Sequence, residues 1–124
     1  MKIILNHCKK FEVQNYESED KSIFDNCIVA QISFETDDKI DDIGKVGVEI
    51  EKMSKDVGKN KIILFPFAHL SNNLLEKNKA NELFLKLKEF LMENFDVKLL
   101  SFGTDKEFLI ETFGHPGSIR FRNF

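Results

Sequence analysis

The sequence has no tryptophan, one tyrosine, two prolines and two cysteines, and it has no long hydrophobic run. No stretch approaches the ~18 apolar residues of a membrane span, and residues 1–5 are too few for a secretory signal. Cys8 and Cys27 have no partner at metal-ligand spacing. They could in principle pair, but we expect both to be reduced and buried in a cytoplasmic protein that lies outside membranes.

Phenylalanine is abundant, with thirteen among 124 residues, and charged residues make up 31% of the chain. We expect one domain over 1–124, with a Phe-rich core that needs no disulfide or structural metal. The net charge of -3 argues against a broad basic surface for nucleic acid. A protein that grips only a terminal nucleotide needs no such surface. For the basic tail at 119–124, the alternatives are a phosphate contact and an edge strand with solvated arginines.

The hydrophobic pattern predicts the order βββαβαβββ, in an α/β domain whose mixed or antiparallel sheet is covered by two helices. The first two strands are expected to form a hairpin. Asp41 or Asp42 is expected to cap the first helix, which ends at Gly58, and Asn78 or Asn81 to begin the second. The expected helices are 43–57 and 79–94, and the expected strands are 2–8, 11–14, 27–34, 61–67, 97–102, 108–113 and the tail.

Three short motifs stand beside the apolar segments of the second half. Residues 65–71 read Phe-Pro-Phe-Ala-His-Leu-Ser and directly follow the apolar run 62–64. Residues 102–106 read Phe-Gly-Thr-Asp-Lys, and residues 114–116 read Gly-His-Pro. A buried strand before the first motif would deliver a histidine and free backbone amides to its carboxyl end, where ligands commonly bind in α/β sheets.

In this order the motifs resemble the editing domain at the amino end of archaeal threonyl-tRNA synthetases, which is related in fold to D-aminoacyl-tRNA deacylases. The similarity spans nearly the whole chain, including Leu5-Asn6-His7 and the helix at 46–57. It implies a deacylase-like fold and hydrolysis of the ester between wrongly attached serine and the terminal adenosine of threonine tRNA. Editing is needed because one methyl group gives a synthetase pocket only ~10–200-fold discrimination.

The resemblance also assigns roles to residues of the motifs. Lys106 is expected to face the ester and His69 to lie beside the bound amino acid, so these two are the expected catalytic side chains. Ala68 would line the amino-acid pocket through its backbone. The other expected substrate-binding residues are Pro66, Phe67, Phe102, Gly103, Asp105 and His115. Taken without the motifs, Lys106 fits a solvated role better and His69 a structural one, and for His115 a structural role and a substrate contact both stay open.

No cofactor or metal is expected, since three separated histidines do not make a zinc pattern. The expected partners are a tRNA 3′ end carrying serine, a threonyl-tRNA synthetase catalytic domain in cis or in trans, and a second copy of the chain. A homodimer is expected because domains of this fold commonly dimerise and the tail carries apolar side chains. The chain ends shortly after Pro116, so we expect a freestanding editor, a domain separated from a longer synthetase, or a degenerate relative.

Two positions depart from the family pattern. Asp105 replaces an aromatic hydroxyl, and Ile119 replaces a carboxylate. Asp105 either takes over the function of that carboxylate or pairs with Lys106 and neutralises it. Three functions therefore stay open: a seryl-tRNA hydrolase, a module that binds the tRNA end or a synthetase without hydrolysis, and a D-aminoacyl-tRNA deacylase. The chain lacks the glutamine-bearing and proline-bearing signatures of the bacterial enzymes of the last class.

Overall fold

The computed structural model describes all residues from Met1 to Phe124. It contains six strands and two long helices in the order ββαβαβββ. The strands are β1 (Lys2–Asn15), β2 (Ser22–Ser33), β3 (Lys61–Pro66), β4 (Asp96–Leu99), β5 (Lys106–Thr112) and β6 (Ile119–Asn123). The helices are α1 (Ile43–Val57) and α2 (Lys77–Met92), and single 3-10 turns lie at Ile40–Asp42 and Ala68–Leu70. No helix is long and apolar enough to cross a membrane.

The predicted opening hairpin is wrong, because residues 2–8 and 11–14 belong to one continuous strand, β1. The hairpin is formed instead by β1 and β2, which pair in antiparallel register from Lys2–Ser33 to Val13–Ser22. The polar residues Lys9 and Lys10 interrupt the apolar pattern without ending the strand. A charged pair in a strand can be solvated at the surface while its backbone keeps the ladder hydrogen bonds.

The sheet is mixed, with the strand order β4-β3-β2-β1-β5, and β6 also pairs with β1. The strands β2, β3 and β4 are parallel, whereas β5 and β6 run antiparallel to the two halves of β1. Because each parallel connection needs a crossover, α1 joins β2 to β3 and α2 joins β3 to β4. Both helices pack on the same face of the sheet. Because β2, β3 and β4 are parallel, their carboxyl ends meet at one edge.

The helix boundaries agree closely with the sequence pattern, but the caps differ. Gly58 ends α1 in the left-handed conformation, as expected, with φ of 68°. Asp42 precedes α1, but its carboxylate accepts from the amide of Lys39 and does not cap the helix. Neither predicted asparagine caps α2: Glu76 does so, accepting hydrogen bonds from the amides of Asn78 and Lys79.

The core has two parts, one on each face of the sheet. The larger cluster lies between the sheet and the helices and contains 17 buried residues, among them Val46, Ile50 and Met53 of α1. The smaller cluster lies on the opposite face and contains Cys8, Phe11, Val13, Cys27, Val29, Ile63, Phe65 and Leu100. The two cysteines are free and buried, as expected, and stand opposite each other in the β1–β2 ladder. The strands β2 and β3 are therefore covered on both faces.

The side chains of β1 change faces at Lys9. Ile3 and Leu5 join the larger cluster, whereas Phe11 and Val13 join the smaller one. The register between β1 and β5 shifts at this point, as a β-bulge does. The β1–β2 ladder also skips Lys9 and Asn26, and Asn26 has φ of 47°, a left-handed conformation that asparagine tolerates better than most residues. Because of this local irregularity, β1 contributes side chains to both hydrophobic clusters.

The tail forms β6 at the sheet edge, and its arginines contact α1. Arg120 binds the carboxylate of Asp56 at 2.9 Å, and Arg122 lies 3.3 Å from Glu49. Both guanidinium groups thus have protein partners. The segment is an edge strand, as one alternative expected, but its arginines are paired with carboxylates of α1 and are not simply solvated. Nothing in the geometry favours the phosphate contact.

We predict that Val46→Ala lowers the free energy of unfolding by roughly 2 kcal/mol, because it removes two buried methyl groups and leaves a cavity. Val46 is 0% exposed, and Val48 of the same helix is 51% exposed. Val48→Ala is therefore the matched control, with an expected change within about 0.5 kcal/mol. Urea unfolding curves measure both. Equal losses for the two variants would contradict the position of the core.

Candidate functional site

A cleft of about 220 Å³ lies at the edge where the parallel strands end. Its walls come from the end of β2, the segment after β3, the turn after β4, the beginning of β5 and the beginning of α2. This is the usual location of ligand sites in sheets with parallel strands. The lining residues are Ile32, Ser33, Phe34, Phe65, Pro66, Phe67, Ala68, His69, Leu74, Leu75, Lys77, Ala80, Phe84, Phe102, Gly103, Thr104, Lys106 and Phe108.

Aromatic rings form much of the cleft wall. Phe65 packs edge-on against Phe67 and Phe108, with ring centroids 5.2 and 5.0 Å apart. On the other side, Phe84 lies 5.9 Å from Phe102. Phe65 and Phe84 are each 2% exposed and support the wall from behind, whereas Phe67, Phe102 and Phe108 keep accessible apolar surface on which an aromatic ligand such as a nucleobase can stack.

The segment after β3 is held in place by hydrogen bonds from the end of β2. The amide of Phe67 donates to the carbonyl of Ile32 at 2.9 Å, and the hydroxyl of Ser33 donates to the carbonyl of Phe67 at 2.5 Å. These bonds fix the peptide that leads into the turn Ala68–Leu70. The backbone beside the cleft is therefore set by β2 as well as by its own strand.

The other end of this segment is held by a partly buried cluster of polar and charged groups around Glu35. The hydroxyl of Ser71 donates to Glu35 at 2.6 Å, and the ammonium of Met1 lies 2.7 Å from the same carboxylate. Together with Lys2, these donors lower the pKa of Glu35 to about 2, with the Met1 ammonium as the largest cause. Ser71, the last residue of the first motif, thus has a structural partner.

Ala68 and His69 are exposed at the mouth of the cleft. The imidazole of His69 packs edge-on against the ring of Phe67, with centroids 5.0 Å apart. No side-chain hydrogen bond holds this imidazole, so both of its nitrogens are open to a ligand. The small side chain of Ala68 leaves the neighbouring backbone accessible.

The ammonium of Lys106 is bound to the turn that follows β4. It donates to the carbonyl of Ser101 at 2.6 Å, to the carbonyl of Thr104 at 3.0 Å and to the hydroxyl of Thr104 at 2.8 Å. Burial in the cleft lowers the pKa of Lys106, and the negative charge of Asp105 opposes this shift. No ion pair joins Lys106 to Asp105, so the reading in which these two residues pair and neutralise each other is not what the geometry shows.

The cleft is electropositive, although the whole chain carries a charge of -3. Its ionisable lining residues are Lys77, Lys106 and His69, and no aspartate or glutamate is among them. A low-dielectric aromatic wall strengthens the field of the two lysine ammonium groups. The cleft therefore favours a ligand that carries or develops negative charge.

His115 lies outside the cleft, in a second cluster beside β1. Its Nε2 is 2.8 Å from Nδ1 of the buried His7, and its Nδ1 is 2.9 Å from the carbonyl of Pro116. The other ring nitrogen of His7 contacts the side-chain oxygen of Asn26 at 3.1 Å. His7 also stacks on Phe113 at 4.3 Å. These contacts tie the Gly-His-Pro turn to the bulged part of the hairpin.

Seven of the nine sequence-predicted site residues meet in the cleft, and Asp105 and His115 do not line it. The backbone carbonyl of Asp105 accepts from Tyr16 at 2.9 Å. Ile119, the second departure from the family pattern, is 58% exposed on β6 and also lies outside the lining. No cluster of three His, Cys, Asp or Glu side chains is placed to hold a metal ion.

Sequence reasoning missed several residues of the cleft. Thr104 lies inside the second motif and could have been found there, since a hydroxyl two residues before a lysine can reach its ammonium. Asn15 gave no local signal, although its side-chain oxygen lies 3.1 Å from the hydroxyl of Thr104. The lining residues Ser33, Lys77 and Phe108 come from distant parts of the chain, and only the tertiary fold brings them together.

The whole chain, residues 1–124, matches the family described as the archaea-specific editing domain of threonyl-tRNA synthetase. A threonine–tRNA ligase from Thermococcus gammatolerans is 32% identical over 94% of the chain and 21% of its own length. A threonine–tRNA ligase from Hyperthermus butylicus is 28% identical over 100% of the chain and 23% of its own length. The chain thus spans about a fifth of the length of the curated relatives it matches.

Two solved structures share the fold. One, titled a c-Myc DNA unwinding element binding protein, has a TM-score of 0.82 at 12% identity and covers 100% of this chain and 99% of its own. The other, titled a probable eukaryotic D-amino acid tRNA deacylase, has a TM-score of 0.76 at 12% identity and covers 98% of this chain and 97% of its own. At this identity the likeness shows the fold alone. It agrees with the deacylase-like fold expected from the motifs.

Proposed function

The chain belongs to the family of archaea-specific editing domains of threonyl-tRNA synthetase, and from this membership we propose that it hydrolyses mischarged seryl-tRNA for threonine. The observation that carries the proposal is the meeting of the first two motifs, with His69 and Lys106, in one electropositive aromatic cleft. The bond to be cleaved is the ester between serine and the terminal adenosine. The proposed partners are this tRNA end and, in cis or in trans, the catalytic domain of a threonyl-tRNA synthetase in the cytoplasm.

The reaction needs no cofactor, because an aminoacyl ester is already activated. A water molecule attacks the ester carbonyl, negative charge collects on the carbonyl oxygen, and the ribose oxygen leaves with a proton. Of the two cleft lysines, we assign the positive charge that stabilises the oxyanion to Lys106, the one in the second motif. Its three protons are bound to the turn after β4, so the site offers a fixed charge that needs little reorganisation during the reaction.

Selection of serine over threonine requires a feature that senses one methyl group. We assign this to the mouth of the cleft, where the exposed imidazole of His69 stands beside the Ala68 backbone. The ring of Phe67 supports the imidazole from one side. An additional methyl on the substrate would meet this pair and displace the ester from the attacking water, which is a specificity mechanism by misplacement.

A second candidate function is a module that binds the tRNA end or a synthetase without hydrolysis. Two observations favour it: Asp105 and Ile119 replace polar groups of the family, and all three Lys106 protons already have partners in the chain. In this function the aromatic cleft would hold the terminal nucleoside and the ester would stay intact. Substrate contacts for Asp105 and His115 remain predictions, since neither residue lines the cleft.

We also propose a homodimer that uses the outer face of β6. Arg120 and Arg122 point toward α1, so the alternating residues Ile119 and Phe121 point away from the helices. These two side chains are 58% and 53% exposed. Large apolar side chains exposed side by side on an edge strand are commonly covered by a partner.

Sedimentation velocity at micromolar concentration tests the dimer. We expect a species of about twice the 14.4 kDa chain mass and a shift toward monomer in Phe121→Glu, because a charge on the apolar face opposes association. Leu85→Glu is the matched control, since Leu85 is 51% exposed on α2, away from this face. A 14.4 kDa species alone would remove the dimer.

Lys106→Met is predicted to slow hydrolysis of seryl-tRNA by ~10²–10³, the usual cost of losing an oxyanion-stabilising group. Affinity for a non-hydrolysable seryl-adenosine analogue is expected to stay within a few-fold, because rings and backbone hold the nucleoside. Single-turnover deacylation and equilibrium binding measure the two quantities. Lys79→Met, an exposed site outside the cleft lining, is the control. Unchanged hydrolysis in Lys106→Met would end the assignment of this lysine.

His69→Ala is predicted to change the ratio of seryl to threonyl hydrolysis by roughly tenfold, within the range that one methyl group can supply. The domain should stay folded, because His69 is exposed and its side chain makes no hydrogen bond within the chain. Parallel deacylation assays with the two aminoacyl-tRNAs measure the ratio, and circular dichroism monitors the fold. If both rates match those of the parent protein, His69 has no part in selection.

A further inference from the structure

Three polar side chains surround the ammonium of Lys106 in a connected hydrogen-bond network. The hydroxyl of Thr104 accepts from Lys106 at 2.8 Å and lies 3.1 Å from the side-chain oxygen of Asn15. The hydroxyl of Ser101 lies 2.8 Å from the Thr104 hydroxyl and 3.2 Å from the same Asn15 oxygen. The network joins the end of β1, the turn after β4 and the beginning of β5. None of these three side chains was given a role by the family motifs.

We propose that Thr104 is a positioning residue for Lys106, holding the ammonium at one place in the cleft through its hydroxyl. The inference deepens the proposed hydrolytic function and rests on it for the catalytic consequence. Of the three oxygens bound to the ammonium, two are backbone carbonyls that belong to the turn itself. Thr104 Oγ1 is the only side-chain oxygen among them, and it lies in the cleft lining.

The hydroxyl is oriented by its other partners, Asn15 and Ser101. The side-chain oxygen of Asn15 can only accept a hydrogen bond, so the Thr104 hydroxyl donates to Asn15 and its lone pairs accept from Lys106 and Ser101. Asn15 stands directly opposite Lys106 in the β1–β5 ladder. The sheet register therefore fixes the distance between Asn15 and the lysine backbone, and Thr104 links the asparagine to the ammonium.

A hydroxyl also differs from the two carbonyls in what it can do when substrate binds. The carbonyls cannot turn away without rearranging the turn, in which Gly103 has φ of 79°. The hydroxyl accepts only one N–H of the ammonium, and the ammonium can turn this N–H toward a developing oxyanion while the hydroxyl keeps its bond to Asn15. Thr104 thus fixes the position of the Lys106 ammonium before substrate binds, and it frees one N–H of that ammonium for the carbonyl oxygen of the ester.

The titratable groups near Lys106 are Asp105 and Glu107, which are adjacent on the chain, and His69 and Lys77 in the same cleft lining. Burial lowers the pKa of Lys106, and the Asp105 charge opposes that shift. A hydrogen bond to the charged form opposes it as well, so loss of the Thr104 hydroxyl should lower the pKa of Lys106 further. Activity that requires the charged ammonium would then decline at a lower pH than in the parent protein when the pH is raised.

The test is an NMR titration of Lys106 in protein with ¹³C-labelled lysine, combined with pH–rate profiles for seryl-tRNA. In Thr104→Val we expect the Lys106 titration midpoint to fall by about one pH unit, the scale of one hydrogen bond to a charged group. The alkaline limb of kcat/KM should fall by a similar amount. At pH 7 kcat should drop about tenfold with little change in KM, as expected for a misplaced catalytic group.

Thr104→Ser keeps the hydroxyl and should restore both the titration and the rate. Thr104→Ala removes the same hydroxyl without a branched side chain, and it serves if Thr104→Val folds poorly. Thr36→Val is the matched control, because the Thr36 hydroxyl bonds to Asn73 outside the cleft lining. It should change neither readout.

An unchanged Lys106 titration in both Thr104→Val and Thr104→Ala would overturn the proposal. Recovery of a seryl group esterified to Thr104 would also overturn it, since the hydroxyl would then be a nucleophile. The titration needs no turnover, so it separates this inference from the proposed function. A protein that releases no serine but shows the shifted Lys106 titration would contradict the hydrolytic function and support the positioning contact.

Discussion

Burial of β3 on both faces is the constraint on which the rest of the structure depends. Ile62 and Leu64 enter the larger cluster, while Ile63 and Phe65 enter the smaller one. A strand covered on both faces must lie inside the sheet, and here its two neighbours are parallel to it. The crossover helices occupy one face, and the segment after β3 emerges at the edge where β2 and β4 also end. The first motif lies at this edge because β3 ends at Pro66, within the motif.

The chemistry of the cleft follows from the side chains that meet at this edge of the sheet. Six of the thirteen phenylalanines line it, together with Lys77, Lys106 and His69 and without an acidic side chain. An overall acidic chain thus contains a local electropositive pocket with apolar walls. Such a pocket suits a ligand with a flat ring and a polar end that becomes negative in the transition state. The aminoacylated end of a tRNA has both features, a flat base and an ester, and binding this end alone does not require a broad basic surface.

The parts predicted from sequence were those with a local cause. The helix α1 follows from the spacing of Val46, Ile50 and Met53, and its end follows from Gly58. The cleft residues of the first two motifs follow from strand ends and from family resemblance. The errors arose where a distant partner decides the outcome: β1 passes unbroken through Lys9 because the ladders with β2 and β5 continue. The cap of α2 is a local exception: Glu76 accepts from the amides of Asn78 and Lys79, where a capping asparagine was expected.

The central claim is that the cleft hydrolyses a seryl ester, and deacylation by the unmodified protein tests it most directly. Threonine tRNA charged with serine and the same tRNA charged with threonine are incubated separately with the purified chain, and release of each amino acid is compared with its spontaneous rate. The account predicts release of serine well above the spontaneous rate, with threonyl-tRNA largely spared. Binding of the charged tRNA without serine release above that rate would contradict it.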